Sequence, residues 1–157
     1  MIKLTSILEQ TKDSKSVIVF VGGLERYESI DEQANRIQSG LSNYKVKAFK
    51  WQQAKAAAKF VKENKTAGII LYSKGCESWK LFPKNKTFCI EPWNEKQNMK
   101  DFYSRFPSAN MWVGAEDYRG NGLNTQNELV PGKGTRGHIE APSEVAPLIA
   151  LKINQYD

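Results

Sequence analysis

The sequence predicts an α/β protein: a three-layer sandwich in which a mostly parallel central sheet of about five to six strands is covered by helices on both faces. Three observations predict it. Strand-like and helix-like segments alternate along the chain, as parallel pairing requires, because each crossover between parallel strands carries a helix. The runs Val17-Ile18-Val19-Phe20-Val21 and Ile69-Ile70-Leu71 are apolar without alternation, the signature of strands buried on both faces. By contrast, Tyr44 to Trp51 alternates apolar with basic residues, which suits an edge strand with one face toward water.

Taken in order, Met1 to Lys15 reads as an N-terminal extension: Ile2, Leu4, Ile7 and Leu8 form too short a pattern to separate strand from helix, and Thr11 to Lys15 is a polar link. The Val17 to Val21 strand ends in Gly22-Gly23, a turn signal. Ile30, Ala34, Ile37 and Leu41 then recur at spacings of four, three and four, one face of an amphipathic helix. Ser29 is its N-cap, and Glu32 three residues on completes a capping box. After the Tyr44 to Trp51 strand, Gln52 to Lys65 places Ala54, Ala57, Ala58 and Val61 on one helical face. It leads into the Gly68 to Leu71 strand.

Beyond the turn at Ser73, Cys76 to Leu81 has room for a short helix before Pro83 and the polar Lys84-Asn85-Lys86. Thr87-Phe88-Cys89-Ile90 is a strand stopped by Glu91-Pro92, and Asn94 to Phe106 is a helix whose Met99, Phe102, Tyr103 and Phe106 belong to the core. Met111-Trp112-Val113 is the next strand. From Tyr118 to Gly137, glycine, asparagine and proline replace any periodicity, so a long loop is expected there, of the kind that often carries function. A closing helix from Ser143 to Tyr156 sets Val145, Leu148, Ile149 and Ile153 on one side, with Pro147 in its first turn.

At 157 residues the chain is one domain, with 40% hydrophobic residues to fill a core. The net charge of +6 comes from lysines and arginines spread along the chain, which favours a solvated surface over a nucleic-acid arm. No stretch approaches the roughly 20 apolar residues of a membrane span, and Met1 to Lys15 lacks the features of a signal peptide. A cytoplasmic protein is expected, whether of cellular or phage origin. Cys76 and Cys89 are therefore read as free thiols, and with His138 they form no metal pattern. Gly132-Lys133-Gly134-Thr135 departs from the Walker pattern by its second glycine, and Gly22-Gly23 is no dinucleotide fingerprint. No cofactor and no metal are expected.

In an open α/β sheet, ligands gather at the carboxyl ends of the strands. Those ends carry Gly22-Gly23-Leu24, Ser73-Lys74-Gly75, Glu116-Asp117 and, after the long loop, Gly137-His138. Ser73 lies on a strand-to-helix turn that could lift its hydroxyl above the sheet; a plain serine N-cap, with Glu77 a turn away, is the alternative reading of the same residues. Asp117 and Glu116 compete for the role of acid. Cys76 as nucleophile would need the turn shifted by three residues.

The order serine, acid, histidine, with the serine on such a turn, resembles the α/β-hydrolase family, in a minimal version without a cap domain. The resemblance runs from about Ser16 to Tyr156: Val17 to Gly23 is similar to the strand and loop that supply an oxyanion-hole amide, Gly114-x-x-Asp117 to the acid strand end, and Gly137-His138 with Pro142 to the histidine loop before the last helix. It implies a serine esterase in which Ser73 attacks, His138 is general base and Asp117 orients the imidazolium. The oxyanion donors would be the N–H of Lys74, preferred over Cys76, and that of Gly23 or Leu24. The implied substrate is a small ester or related acyl compound, anionic if Arg26, Lys74, Arg119, Lys133 and Arg136 steer it. The rival reading is a non-catalytic binding or structural module, such as an assembly or virion-associated protein, with a hydrolase-like fold.

Overall fold

The computed structural model describes residues 15–92, 99–114, 128–129 and 134–156. Six strands, β1 (Ser16–Val21), β2 (Tyr44–Phe49), β3 (Thr66–Tyr72), β4 (Thr87–Ile90), β5 (Met111–Gly114) and β6 (Glu128–Leu129), form one sheet in the order β2-β1-β3-β4-β5-β6. Every described pairing is parallel. The helices are α1 (Ile30–Ser39), α2 (Ala54–Glu63), α3 (Met99–Arg105) and α4 (Gly134–Tyr156).

The strand period of two sorts the core into two layers. Ile18, Phe20, Ile70, Tyr72, Phe88, Ile90 and Trp112 point to one face, where Ile37 and Leu41 from the α1 side and Ala141, Val145, Ile149 and Ile153 of α4 cover them. Val19, Val21, Ile69, Leu71, Cys89, Met111 and Val113 point to the other, under Ala57 of α2 and Phe102 and Phe106 of the α3 segment. This is the α/β sandwich that the apolar runs imply. The edge position of β2 agrees with its alternating pattern, since Lys45 and Lys47 face out while Tyr44 is buried.

Local chemistry sets the boundaries. The capping box at Ser29 forms: the Glu32 N–H donates to Ser29 Oγ at 3.2 Å, and the Ser29 N–H donates to Glu32 Oε1 at 3.3 Å. A 3-10 turn at Trp51–Gln53 precedes α2, which is therefore shorter than the Gln52 to Lys65 periodicity suggests. The short helix after β3 starts at Ser73 rather than Cys76 and is 3-10 throughout, Ser73–Leu81. Of the Asn94 to Phe106 helix, Met99–Arg105 is described as helical. Trp79, from the 3-10 segment, meets Phe102 edge-on at 5.7 Å and Phe106 at 6.3 Å, which clamps that segment to α3.

Two expectations for the C-terminal third are corrected. The stretch from Tyr118 to Gly137 is not a continuous loop, because Glu128–Leu129 pairs with β5 and Gly134 opens α4; its other residues lie outside the described ones. The closing helix begins nine residues earlier than Ser143 (143 − 134 = 9), so His138 is a helical residue and not part of a loop. Both Pro142 and Pro147 lie inside α4. A proline removes the N–H that would bond the carbonyl four residues back, and for Pro142 that carbonyl belongs to His138. The Tyr72 hydroxyl donates to it instead, at 2.6 Å.

Candidate active site

β1 is flanked by β2 on one side and β3 on the other, so the chain reverses its winding between β1 and β3. Such a switch point opens a crevice at the carboxyl ends of the strands, where open α/β sheets bind their ligands. Ser73 and the Gly22-Gly23-Leu24 loop sit there.

Ser73 leaves β3 with φ of 54°, in the left-handed region. Among the described residues, Glu91 at the end of β4 is the other non-glycine residue with positive φ, at 49°. Holding an ordinary residue in that region costs about 1–3 kcal/mol and persists where the surroundings enforce it. Here the enforcement comes from Gly75. A Cβ at Gly75 would lie 2.4 Å from the Val21 carbonyl oxygen and 2.7 Å from that of Gly22, so only a glycine lets the chain fold back over the end of β1. The turn thereby turns the Ser73 side chain out of the strand and toward α4.

There His138 meets it: His138 Nε2 stands 3.0 Å from Ser73 Oγ. Tyr72 holds His138 at two points. The imidazole ring stacks on Tyr72, centroids 5.1 Å apart and planes 27° from parallel, while the same tyrosine's hydroxyl holds the His138 carbonyl. Burial pushes the Tyr72 phenol well above its ordinary pKa, and the Glu91 carboxylate adds to the effect. The hydroxyl consequently stays protonated and remains a donor throughout the neutral range. Tyr72 follows directly on the Ile69 to Leu71 run, yet sequence reasoning did not single it out, because its acceptor lies 66 residues away.

On the other flank, Gly23 abuts the serine, since a Cβ there would lie 2.8 Å from Ser73 Cβ and 3.3 Å from Oγ. Gly23 was expected among the oxyanion donors. Leu24 was its alternative, and the Gly23 N–H donates to Gln33 Oε1 at 2.9 Å. What Gly23 contributes is closeness to Ser73. The Lys74 side chain is spent elsewhere, with Nζ 3.1 Å from Glu77 Oε1 and 4.7 Å from the Trp51 ring centroid. It is nearly buried and braces the 3-10 segment across the end of β1, so the expected steering by its ammonium is not its part.

The remaining expectations are distributed as follows. Asp117 and its competitor Glu116 lie outside the described residues, as do Arg119 and Lys133. Arg136 is in the first turn of α4, and Arg26 is exposed beside Tyr27. Cys76 is buried beneath the turn with Sγ 3.4 Å from the Leu71 carbonyl oxygen, and Cys89 is a free thiol pushed up in pKa by burial, with Cys76 beside it. Among the described residues, no group of His, Cys, Asp and Glu side chains is placed to hold a metal ion, and no helix is long and apolar enough to cross a membrane. Comparison of the chain with family models, with curated proteins and with solved structures finds no match.

Proposed function

We propose that the protein is a small serine hydrolase of α/β-hydrolase type that cleaves an ester or related acyl bond through an acyl-enzyme. The observation that carries this reading is the 3.0 Å approach of His138 Nε2 to a Ser73 Oγ presented at φ 54° on a strand-to-helix turn. A serine hydroxyl is a weak nucleophile until a base within hydrogen-bond reach takes its proton, and this pair has that geometry. The strained turn supports it further, because that conformation is what exposes a nucleophile at the top of such a sheet.

In this reading the His138 tautomer protonated on Nδ1 accepts the Ser73 hydroxyl hydrogen on Nε2. Ser73 Oγ adds to the acyl carbon as its proton passes to Nε2, and the carbonyl oxygen becomes an oxyanion facing the Leu24 and Lys74 amides. Collapse expels the alcohol, which takes the proton from Nε2. Water then repeats the sequence on the acyl-enzyme and releases the acid. Asp117 is the proposed partner of the other ring nitrogen.

The test is intact-mass labelling with a fluorophosphonate, which an activated serine attacks with loss of fluoride. One adduct on the native chain, absent from Ser73→Ala and His138→Ala, is the expected result. A folded native chain that takes up no label would turn the assignment to the binding or structural module.

A further inference from the structure

The loop that faces Ser73 is governed by one buried side chain that the reaction just described does not use. Gln33, in the first turns of α1, is only 3% exposed although it is polar. Its amide makes three hydrogen bonds, all to the loop: Oε1 accepts from the Gly23 N–H at 2.9 Å, and Nε2 donates to the Leu24 carbonyl at 3.2 Å and to the Glu28 carbonyl at 3.1 Å. The first two bonds grip the peptide units on either side of the one joining Gly23 to Leu24. A peptide pinned through both neighbours has little freedom to turn, and its only donor is the Leu24 N–H. That N–H makes no hydrogen bond among the described residues.

The far end of the loop is secured separately. Glu25 Oε2 accepts the Ile30 N–H at 3.1 Å, and Arg36 Nε holds both carboxylate oxygens of Glu28 at 2.9 and 3.0 Å. Gln33 is thus the tie nearest to the serine.

We infer that Gln33 is the positioning residue of the oxyanion loop: it withdraws the Gly23 N–H and fixes the Gly23–Leu24 peptide so that the Leu24 N–H is the loop's donor to the oxyanion. The inference rests on the serine-hydrolase reading. An oxyanion donor is effective because its dipole is already oriented when charge develops, and a loop free to turn would spend part of that stabilisation on reordering.

The experiment follows the rate and the amplitude of Ser73 modification by a fluorophosphonate in the full chain, with Gln33→Met, which has similar length and no hydrogen bonds, and Gln33→Glu, which keeps the acceptor but loses the donor when ionised. A positioning role predicts full amplitude for both variants with the rate lowered, about a hundredfold for Gln33→Met, the scale of losing one oxyanion donor. In Gln33→Met, which adds no titratable group, the pH midpoint of labelling stays that of the native chain. A rate within twofold of native in a folded variant overturns the inference, as does a fall in amplitude alone, which is what a residue needed only for folding would give. Failure of both variants to fold also assigns Gln33 to the fold and overturns it. A native chain that is not labelled at all sinks the hydrolase reading itself, and is distinguishable because no variant is needed to see it.

Discussion

The Tyr72 hydroxyl donates to the His138 carbonyl at 2.6 Å, the acceptor that a backbone N–H at position 142 would bond if that residue were not proline. A proline eight residues after the first residue of a helix (142 − 134 = 8) would ordinarily break it, at a cost of about 3 kcal/mol or more. Here the helix continues, and the break in its hydrogen bonding is converted into an attachment between α4 and the end of β3. Because Ser73 is the next residue after Tyr72, the attachment also fixes how far the imidazole stands from the serine.

Tyr72→Phe keeps the ring that stacks on His138 and removes only the donor. Losing that hydrogen bond should cost about 1 kcal/mol, visible as a lower urea midpoint at unchanged slope. Fluorophosphonate labelling of Ser73 should slow as well, since the α4 turn bearing His138 loses one of its two attachments to Tyr72. A variant as stable and as reactive as the native chain would show that the hydroxyl does nothing for either.

Much of this fold is written locally. The buried strands β1 and β3 are legible because parallel strands covered on both faces need apolar residues at consecutive positions, and the α1 start is legible because a capping box is a four-residue signal. Ser73 at the carboxyl end of β3 is legible from the strand pattern, whereas His138 reaches it from within α4 and not from a strand end. What could not be read has physical reasons. Glu128–Leu129 is too short to carry a period. The early start of α4 is masked by Pro142, whose compensation comes from a residue distant in sequence. Gln33 falls between Ile30 and Ile37 on the apolar face of α1; a polar residue on that stripe was the available sign that something there needed an amide.

The backbone at Gly75 passes so near the end of β1 that a methyl group has no room: the contacts at 2.4 and 2.7 Å are to backbone oxygens, which cannot rotate away. Gly75→Ala should therefore either unfold the chain or push the 3-10 segment outward and carry Ser73 with it. Destabilisation of about 2 kcal/mol or more is expected, with loss of labelling in whatever remains folded. Denaturation and labelling read on the same sample settle it, and native values for both would contradict the tight passage.

Phe102 packs on the sheet face opposite His138, stacked on Phe106 at a centroid distance of 5.1 Å and edge-on to Trp79 at 5.7 Å. Phe102→Ala should cost about 3–5 kcal/mol, the usual range for a buried aromatic replaced by alanine. Since it belongs to the core layer on the other face of the sheet, the labelling rate of molecules still folded should be that of the native chain. A selective loss of rate at full folded population would mean that the two layers are coupled through Trp79 and the 3-10 segment.

Alkaline pH should weaken the fold by way of two buried acids. Burial raises the pKa of the Cys89 thiol, with the neighbouring Cys76 adding to it, and burial likewise raises that of the Tyr72 phenol. In the unfolded chain these groups ionise near their ordinary values, about 8.5 for cysteine and about 10 for tyrosine. Above those values the unfolded state has released protons that the folded state still holds, so the free energy of unfolding falls as pH rises. Stability from this source is full below about pH 8.5, declines first through Cys89 and then, from about pH 10, more steeply through Tyr72. Urea denaturation at intervals between neutral and alkaline pH should show this two-stage fall, and Cys89→Ser, which has no thiol to ionise, should lose the first stage while keeping the second. A native midpoint that stays level past pH 10 would mean that neither proton is retained by the fold.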